Sequence, residues 1–300
     1  FGSGSRGRAG LALAVAAGSV YPGLAVLPAA VPNLGWLGAV ESIHGIKVTY
    51  AEYLIANFPP IGITSIVAIP LICRFLFPDK IGTGTTDIEA AKTSAAQTRL
   101  IMVLTAALGL WLTDFVHGIS PAWIALGAAL FCMLPRIGMV PTSLMVGKVS
   151  YAPWFFVAGV IGMGGLVAQA GLGNYLSSIL FETVPLTKGY DFLNFAIISA
   201  VGMAMSIVTT VPGQPAIMTS LATDIAAATG WPLMTVLMTQ PLSWAMALFA
   251  YQFPPIILAA HLGGVSMRRV AHLLLAMCAL AWFVMLPLQY LWWAMLDFFG

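Results

Sequence analysis

The side chains able to handle a ligand are few and uncharged. Asn33, Ser206, Thr209, Thr210, Gln214 and Gln252 all lie close to prolines or glycines that interrupt long apolar runs. Neutral hydroxyls and amides, together with carbonyls freed at such interruptions, suit a small cation. Helix N-termini meeting at a break present N–H groups and positive dipole ends, which suit an anion. The combination points to a small anion moving with a cation. The competing reading is that these groups cap helices and satisfy one another.

The carboxylates offer less. Asp114 ends an apolar stretch beside His117 and reads as an interfacial helix end. Asp224, with Thr223 and Thr229 nearby, reads equally as an intramembrane functional group or an interfacial one. His261 and His272 flank Arg268 and Arg269 and read as interfacial. There is no HExxH, no catalytic-serine motif and no ligand cluster of metal-site spacing, so enzyme chemistry has no carrier. Cys73, Cys132 and Cys278 sit inside apolar runs and read as small hydrophobes rather than disulfide partners or ligands.

What must position these residues follows from composition. The chain is 60% hydrophobic and only 7% charged over 300 residues, too little charge to coat a soluble globule of this size. Net charge is +2 with no basic block, which removes nucleic acid from the partners and leaves the lipid bilayer. A helix needs about 20 mainly apolar residues to cross the hydrocarbon core. Spans are expected over 10–40, 54–77, 100–116, 120–135, 151–169, 232–262 and 270–294. The stretch 192–229 is long enough for two short helices, divided near Pro212, Gly213 and Pro215.

Two spans carry interruptions: Pro22-Gly23, Pro28 and Pro32-Asn33 in the first, and Gln252-Phe253-Pro254-Pro255 in the second. Proline lacks an N–H and clashes with the preceding turn, so unwound segments are expected there. If 192–229 is a re-entrant hairpin, Arg6, Arg8, Arg74, Lys80, Lys92, Arg99, Arg136, Lys148, Arg268 and Arg269 share one side. Only Lys47 and Lys188 fall on the other. Lys and Arg accumulate in cytoplasmic loops, which places the C-terminus outside. The two broken spans, each followed by a short connector and a long closing helix, then run in opposite directions. That is the plan of an inverted-repeat transporter with its site at mid-membrane. The fold expected is an all-α polytopic membrane protein with a re-entrant hairpin and two unwound transmembrane helices. The first repeat's own hairpin would lie upstream of Phe1.

These residues resemble the divalent anion:sodium symporter family. GLAVLPAAVPN (23–33) is similar to the family's glycine-rich run ending Gly-Thr-Pro-Pro-Asn; Ala29, Ala30 and Val31 stand for Gly-Thr-Pro, and Pro32 and Asn33 are kept. SYAPWFFVAGVIGMGGLVAQAGLGNYL resembles the tryptophan- and glycine-rich span before the second hairpin. In FAYQFPPIILAAHLGGVSMRRVAHL, Pro254 and Pro255 fit the second Pro-Pro pair, Gln252 and Phe253 take the Gly-Thr places, and Ile256 replaces the asparagine. The family's Ser-Asn-Thr hairpin-tip motif falls near Thr-Thr-Val-Pro (209–212), where Thr210 can stand for the serine but Val211 cannot supply the amide.

The resemblance covers essentially the whole chain, matched to the C-terminal two-thirds of a member. It implies secondary active transport of a dicarboxylate, citrate or sulfate across a bacterial inner membrane, coupled to sodium or protons. It further implies an elevator-type movement within a homodimer; no cofactor is expected, with sodium as a candidate coupling ion. The implied substrate and ion site is Ala29, Pro32, Asn33, Thr209, Thr210, Gln214, Gln252, Pro254 and Pro255, with Thr209, Thr210 and Asn33 toward sodium. The chain then divides as follows. Residues 1–53 are the first unwound helix and connector, 54–78 its closing helix, 79–99 a cytoplasmic loop and 100–150 scaffold helices. Residues 151–191 are the second-repeat span and arm, 192–230 the re-entrant hairpin, 231–269 the second unwound helix and connector, and 270–300 the C-terminal helix. The alternative is a non-transporting membrane scaffold or partner subunit derived from such a carrier.

Overall fold

The computed structural model describes residues 5–80, 94–135 and 186–300, with scattered positions between 138 and 170. The expected span 151–169 and most of the loop 79–99 lie outside the described residues. All regular structure among the described residues is helical, and four helices are long and apolar enough to cross a membrane. The protein is an all-α polytopic membrane protein.

By internal contacts the chain falls into two units. The smaller comprises Val48–Glu52 and Gly82–Phe155. Among the described residues its longer helices are α4 (Ala95–Leu112) and α5 (Pro121–Cys132), the first three of the chain belonging mainly to the other unit. α4 starts inside the expected loop because Ser94 and Gln97 form a reciprocal capping box, at 3.2 and 2.7 Å. The two helices pack as a hairpin, closed where Trp111 Nε1 donates to the Pro121 carbonyl at 3.1 Å. Asp114 opens a short helix, Asp114–His117, and is buried. Its Oδ2 accepts the Tyr50 N–H, while Oδ1 has no partner among the described residues. Most other apolar side chains of the pair, such as Leu104 and Trp123, point outward, as a lipid solvent allows.

The larger unit holds Phe1–Lys47, Tyr53–Ile81 and Phe156–Gly300. The first broken span resolves into α1 (Arg6–Val20) and α2 (Val31–His44), separated by two 3₁₀ turns, Pro22–Ala25 and Leu27–Ala29. Val26 and Ala30 are extended, so the helix is interrupted over 21–30. The second broken span resolves into the short helices α9 (Leu233–Met238) and α10 (Gln240–Ala245), an interruption over 246–253, and α11 (Pro254–Gly263). In both spans the helix after the break opens on its proline pair or proline, with Pro32 and Pro254 in the first turn. A first-turn N–H has no intrahelical acceptor, so proline sacrifices nothing there and presets φ. The first interruption thus starts where Pro22 places it and ends before Pro32, and the second lies before Pro254.

The long closing helices are α3 (Tyr50–Leu76) and α12 (Met267–Met295). The sequence reads α3 as a clean span, yet it widens to a π-helical segment at Phe58–Ile63. Pro59 and Pro60 lack the N–H groups that would meet the carbonyls of Ile55 and Ala56, four residues back. Those carbonyls are met instead by indoles of α12: Trp292 Nε1 to Ile55 and Trp293 Nε1 to Ala56, each at 2.8 Å. Gln289, one turn earlier, donates to Asn57 Oδ1 at 3.0 Å. Gly62 is required because any Cβ there would meet the Phe58 ring at 2.4 Å. α12 carries its own π segment at Ala281–Met285, so both closing helices widen in mid-course.

The stretch 192–229 forms α6 (Asp191–Thr209), a tip at 210–213, and a return through α7 (Gln214–Ser220) and α8 (Ala222–Thr229). Its two ends meet: Trp231 Nε1 donates to Asp191 Oδ1 at 2.8 Å, and the Lys188 stem lies against Gly230. All three cysteines are free thiols, with Cys73 and Cys278 buried.

Candidate functional site

The interrupted segments and the hairpin converge within the larger unit. Tyr21, opening the first interruption, packs edge-on against Phe253, closing the second, at 5.5 Å between centroids and 61°. The hairpin docks on the second interruption through Gln252, whose Nε2 donates to Ser206 Oγ at 2.8 Å, and through Tyr251, whose hydroxyl donates to the Ile207 carbonyl. α2 packs along α7, and His44 Nε2 lies 2.9 Å from the Thr219 carbonyl.

Each amide found from the sequence has a traceable role. Asn33 is fully buried, and its Nδ2 donates to the carbonyls of Gly23 and Val26 at 2.9 and 2.8 Å. It thereby closes the first interruption on itself, helped by Tyr53, whose hydroxyl donates to the Leu24 carbonyl at 2.7 Å. Gln252 does the converse at the second: its Oε1 accepts the N–H groups of Leu248 and Phe249 at 2.9 and 2.7 Å. Thus the carbonyls freed in the first interruption are largely used internally, as the capping alternative requires. Oδ1 of Asn33 is the exception, buried without a partner among the described residues.

The hairpin tip is built on Thr210, whose N–H reaches the Ser206 carbonyl at 2.9 Å and whose own carbonyl accepts from Gly213 and Gln214, both at 3.2 Å. Thr210 takes φ 90° and ψ 159°, a region glycine occupies and side chains avoid. Its neighbour Thr209 turns its hydroxyl back to the Met205 carbonyl at 2.8 Å. No hydrogen bond joins Asn33 to Thr209 or Thr210 among the described residues; each bonds within its own segment. Ala29, Pro254 and Pro255 are exposed beside their interruptions, and Pro32 is buried.

Gln214 opens a seam that sequence reasoning reached only at its first residue. Its Nε2 donates to Ser243 Oγ at 2.9 Å, Ser243 donates to the Gln240 carbonyl at 2.7 Å, and Gln240 Nε2 donates to Thr219 Oγ1 at 3.1 Å. Gly202 of α6 faces the seam, where any Cβ would come within 2.6 Å of Gln214 Nε2 and Ser243 Oγ. Along the seam and the interruptions, Ser199 Oγ, Gln214 Oε1, Gln240 Oε1, Tyr21 OH and Trp244 Nε1 are buried without partners among the described residues. A buried polar atom left unpaired costs about 1–3 kcal/mol, and native structures meet such groups with protein, water or ligand. Tyr21 and Gln240 each stand directly before a proline, Pro22 and Pro241, a signal the sequence reading did not use; for Ser243 the signal was a polar residue inside an apolar run.

Among the described residues, no charged side chain belongs to this constellation. It can offer amide and hydroxyl oxygens to a cation, and phenol, indole and helix-terminal N–H groups to an anion.

Comparison with known proteins adds an independent finding. A family model described as the sodium:sulfate symporter transmembrane region matches residues 4–299. A protein of Cupriavidus necator, named only as a membrane protein, is 28% identical over 204 residues. That alignment covers 64% of this chain and 39% of the relative, so the chain matches about two-fifths of that protein's length.

Proposed function

We propose that this chain, which belongs to the sodium:sulfate symporter family, works in secondary active transport of a small anion of the sulfate, dicarboxylate or citrate class, coupled to sodium, across a bacterial inner membrane. The observation that carries the reading is the convergence of two interrupted helices and a hairpin tip on buried polar groups that lack partners among the described residues. In hydrocarbon such groups are tolerated only against protein or a water- or ligand-filled chamber.

In this reading 191–229 is a re-entrant hairpin, supported by the meeting of its two ends. The matched pattern of interruption, proline-led helix and π-bearing closing helix supports an inverted repeat. The anion would lie at the N-termini of α2 and α11, near Ala29, Pro32, Pro254 and Pro255, with Asn33 and Gln252 holding the interruptions in shape. The cation would lie toward Thr209, Thr210, Asn33 Oδ1 and Gln214 Oε1. Movement would be elevator-like, the hairpin and interrupted helices shifting within a homodimer held by spans 54–77 and 100–135.

One observation favours the second reading, a membrane scaffold or partner subunit derived from such a carrier. The amide groups of Asn33 and Gln252 are mostly used inside their own interruptions. Reconstitution into vesicles decides between them. Transport predicts that an inward sodium gradient drives uptake of sulfate, succinate or citrate, and that Gln214→Leu abolishes it in folded protein. No gradient-dependent uptake of any of the three would rule out transport.

A further inference from the structure

Away from the interruptions, a groove of about 690 Å³ runs between α1 and the C-terminal half of α3. One end is apolar, walled by Leu11, Ala14, Pro70 and Phe75, with Leu11 and Phe75 exposed. The other end is lined by Arg74 and Asp79. From Gly7 to Ala14 the floor rises about 10 Å along the helix axis, enough to pass from a charged rim into hydrocarbon.

We propose that this groove holds an acyl chain of an anionic phospholipid whose headgroup rests on Arg74 and Lys80 and on Arg6 and Arg8 of the first turn of α1. Three features support it. The rim is strongly unbalanced in charge: Arg6 and Arg8 bracket Gly7, Lys80 follows Asp79, and Arg269 reaches the rim by donating to the Ser5 carbonyl at 3.4 Å. The acidic group there, Asp79, is exposed, but both its oxygens are engaged by backbone donors: Oδ2 accepts the Gly7 N–H and Oδ1 the Lys80 N–H, each at 2.8 Å, so it opposes an incoming anion less than a free carboxylate would. The apolar wall is continuous with the charged rim, which a free inorganic anion would not use and a lipid would. Basic pockets between membrane helices bind anionic headgroups on the same physics.

The test uses the purified protein in detergent, read by native mass spectrometry and thermal shift. It is titrated with phosphatidylglycerol, with phosphatidylcholine of the same chains, and with inorganic phosphate. Phosphatidylglycerol is expected to bind roughly tenfold tighter than phosphatidylcholine, and Arg74→Gln to weaken it roughly fivefold. Ala14→Trp, which fills the apolar end, is expected to abolish retention of the lipid. Should Ala14→Trp fail to fold, Leu11→Gln tests the same wall with less bulk. Equal affinity for the two lipids, affinity unchanged in Arg74→Gln, or full displacement of the lipid by phosphate would each overturn the proposal.

Discussion

Thr210 holds a backbone geometry of φ 90° and ψ 159° at the hairpin tip, where a side chain is strained by about 1–3 kcal/mol. Its hydroxyl has no hydrogen-bond partner among the described residues, so nothing local repays that strain. Thr210→Gly is therefore expected to raise the melting temperature in detergent while lowering uptake, and Thr210→Ala to lower uptake without the stabilisation. A glycine variant no more stable than wild type would show that the tip stores no strain. At the outer rim, Asp79 has its carboxyl held below its ordinary value of 3.8, first by the Gly7 N–H, then by the Lys80 N–H and the Ser5 hydroxyl. A folded-state value lowered in this way stabilises the protein above pH 3.8, and the contribution is lost as pH falls through the lowered value. The difference in melting temperature between wild type and Asp79→Asn should hold steady near neutrality and shrink on acidification below that point. A gap that persists undiminished in acid would show that the carboxylate is not its source.

At the scale of elements, prolines told more than periodicity, and less than their positions implied. Pro22, Pro28 and Pro32 announced the first interruption and Pro254-Pro255 the second, but Pro32 and Pro254 each open the helix that follows, so the interruptions end before them, over 21–30 and 246–253. Pro59 and Pro60 were passed over, although Asn57 stands beside them in an otherwise apolar run. What preserves that helix is a pair of indoles 237 residues further along, invisible to any local pattern. Likewise Ser206 and Gln252 were both legible as polar groups near breaks, but not that one would bond the other. The proline–indole pairing makes a sharp prediction. Trp293→Phe leaves the Ala56 carbonyl without a donor and should destabilise the protein by about 1–3 kcal/mol. Pro60→Ala restores a backbone N–H, so in that background the same substitution should cost markedly less. Strict additivity of the two changes, measured by denaturation in detergent, would contradict the account.

For the molecule as a whole, composition alone established a polytopic membrane protein, because so little charge cannot cover a soluble surface of this extent. The proposed re-entrant course of 192–229 rests on the charge count, since helices of membrane length look alike from either side. Single cysteines at 188 and 47 should react with a membrane-impermeant thiol reagent from outside, and one at 268 only from inside. Reaction of 188 and 268 from the same face would remove the hairpin from the membrane scheme. The residues around the tip were found as types in a pattern, whereas their convergence with Tyr21, Ser243 and Gln240 required the fold.

The central claim is that the hairpin tip and the interrupted helices enclose the transported anion, and ligand protection tests it most directly. In a background with Cys73, Cys132 and Cys278 replaced, Thr210→Cys protein in vesicles is treated with a small thiol reagent, with and without sodium and candidate anions. The account predicts that sulfate, succinate or citrate slows modification at 210, and does so only when sodium is present. Modification at one rate under all these conditions, in protein that still takes up the anion, would contradict it.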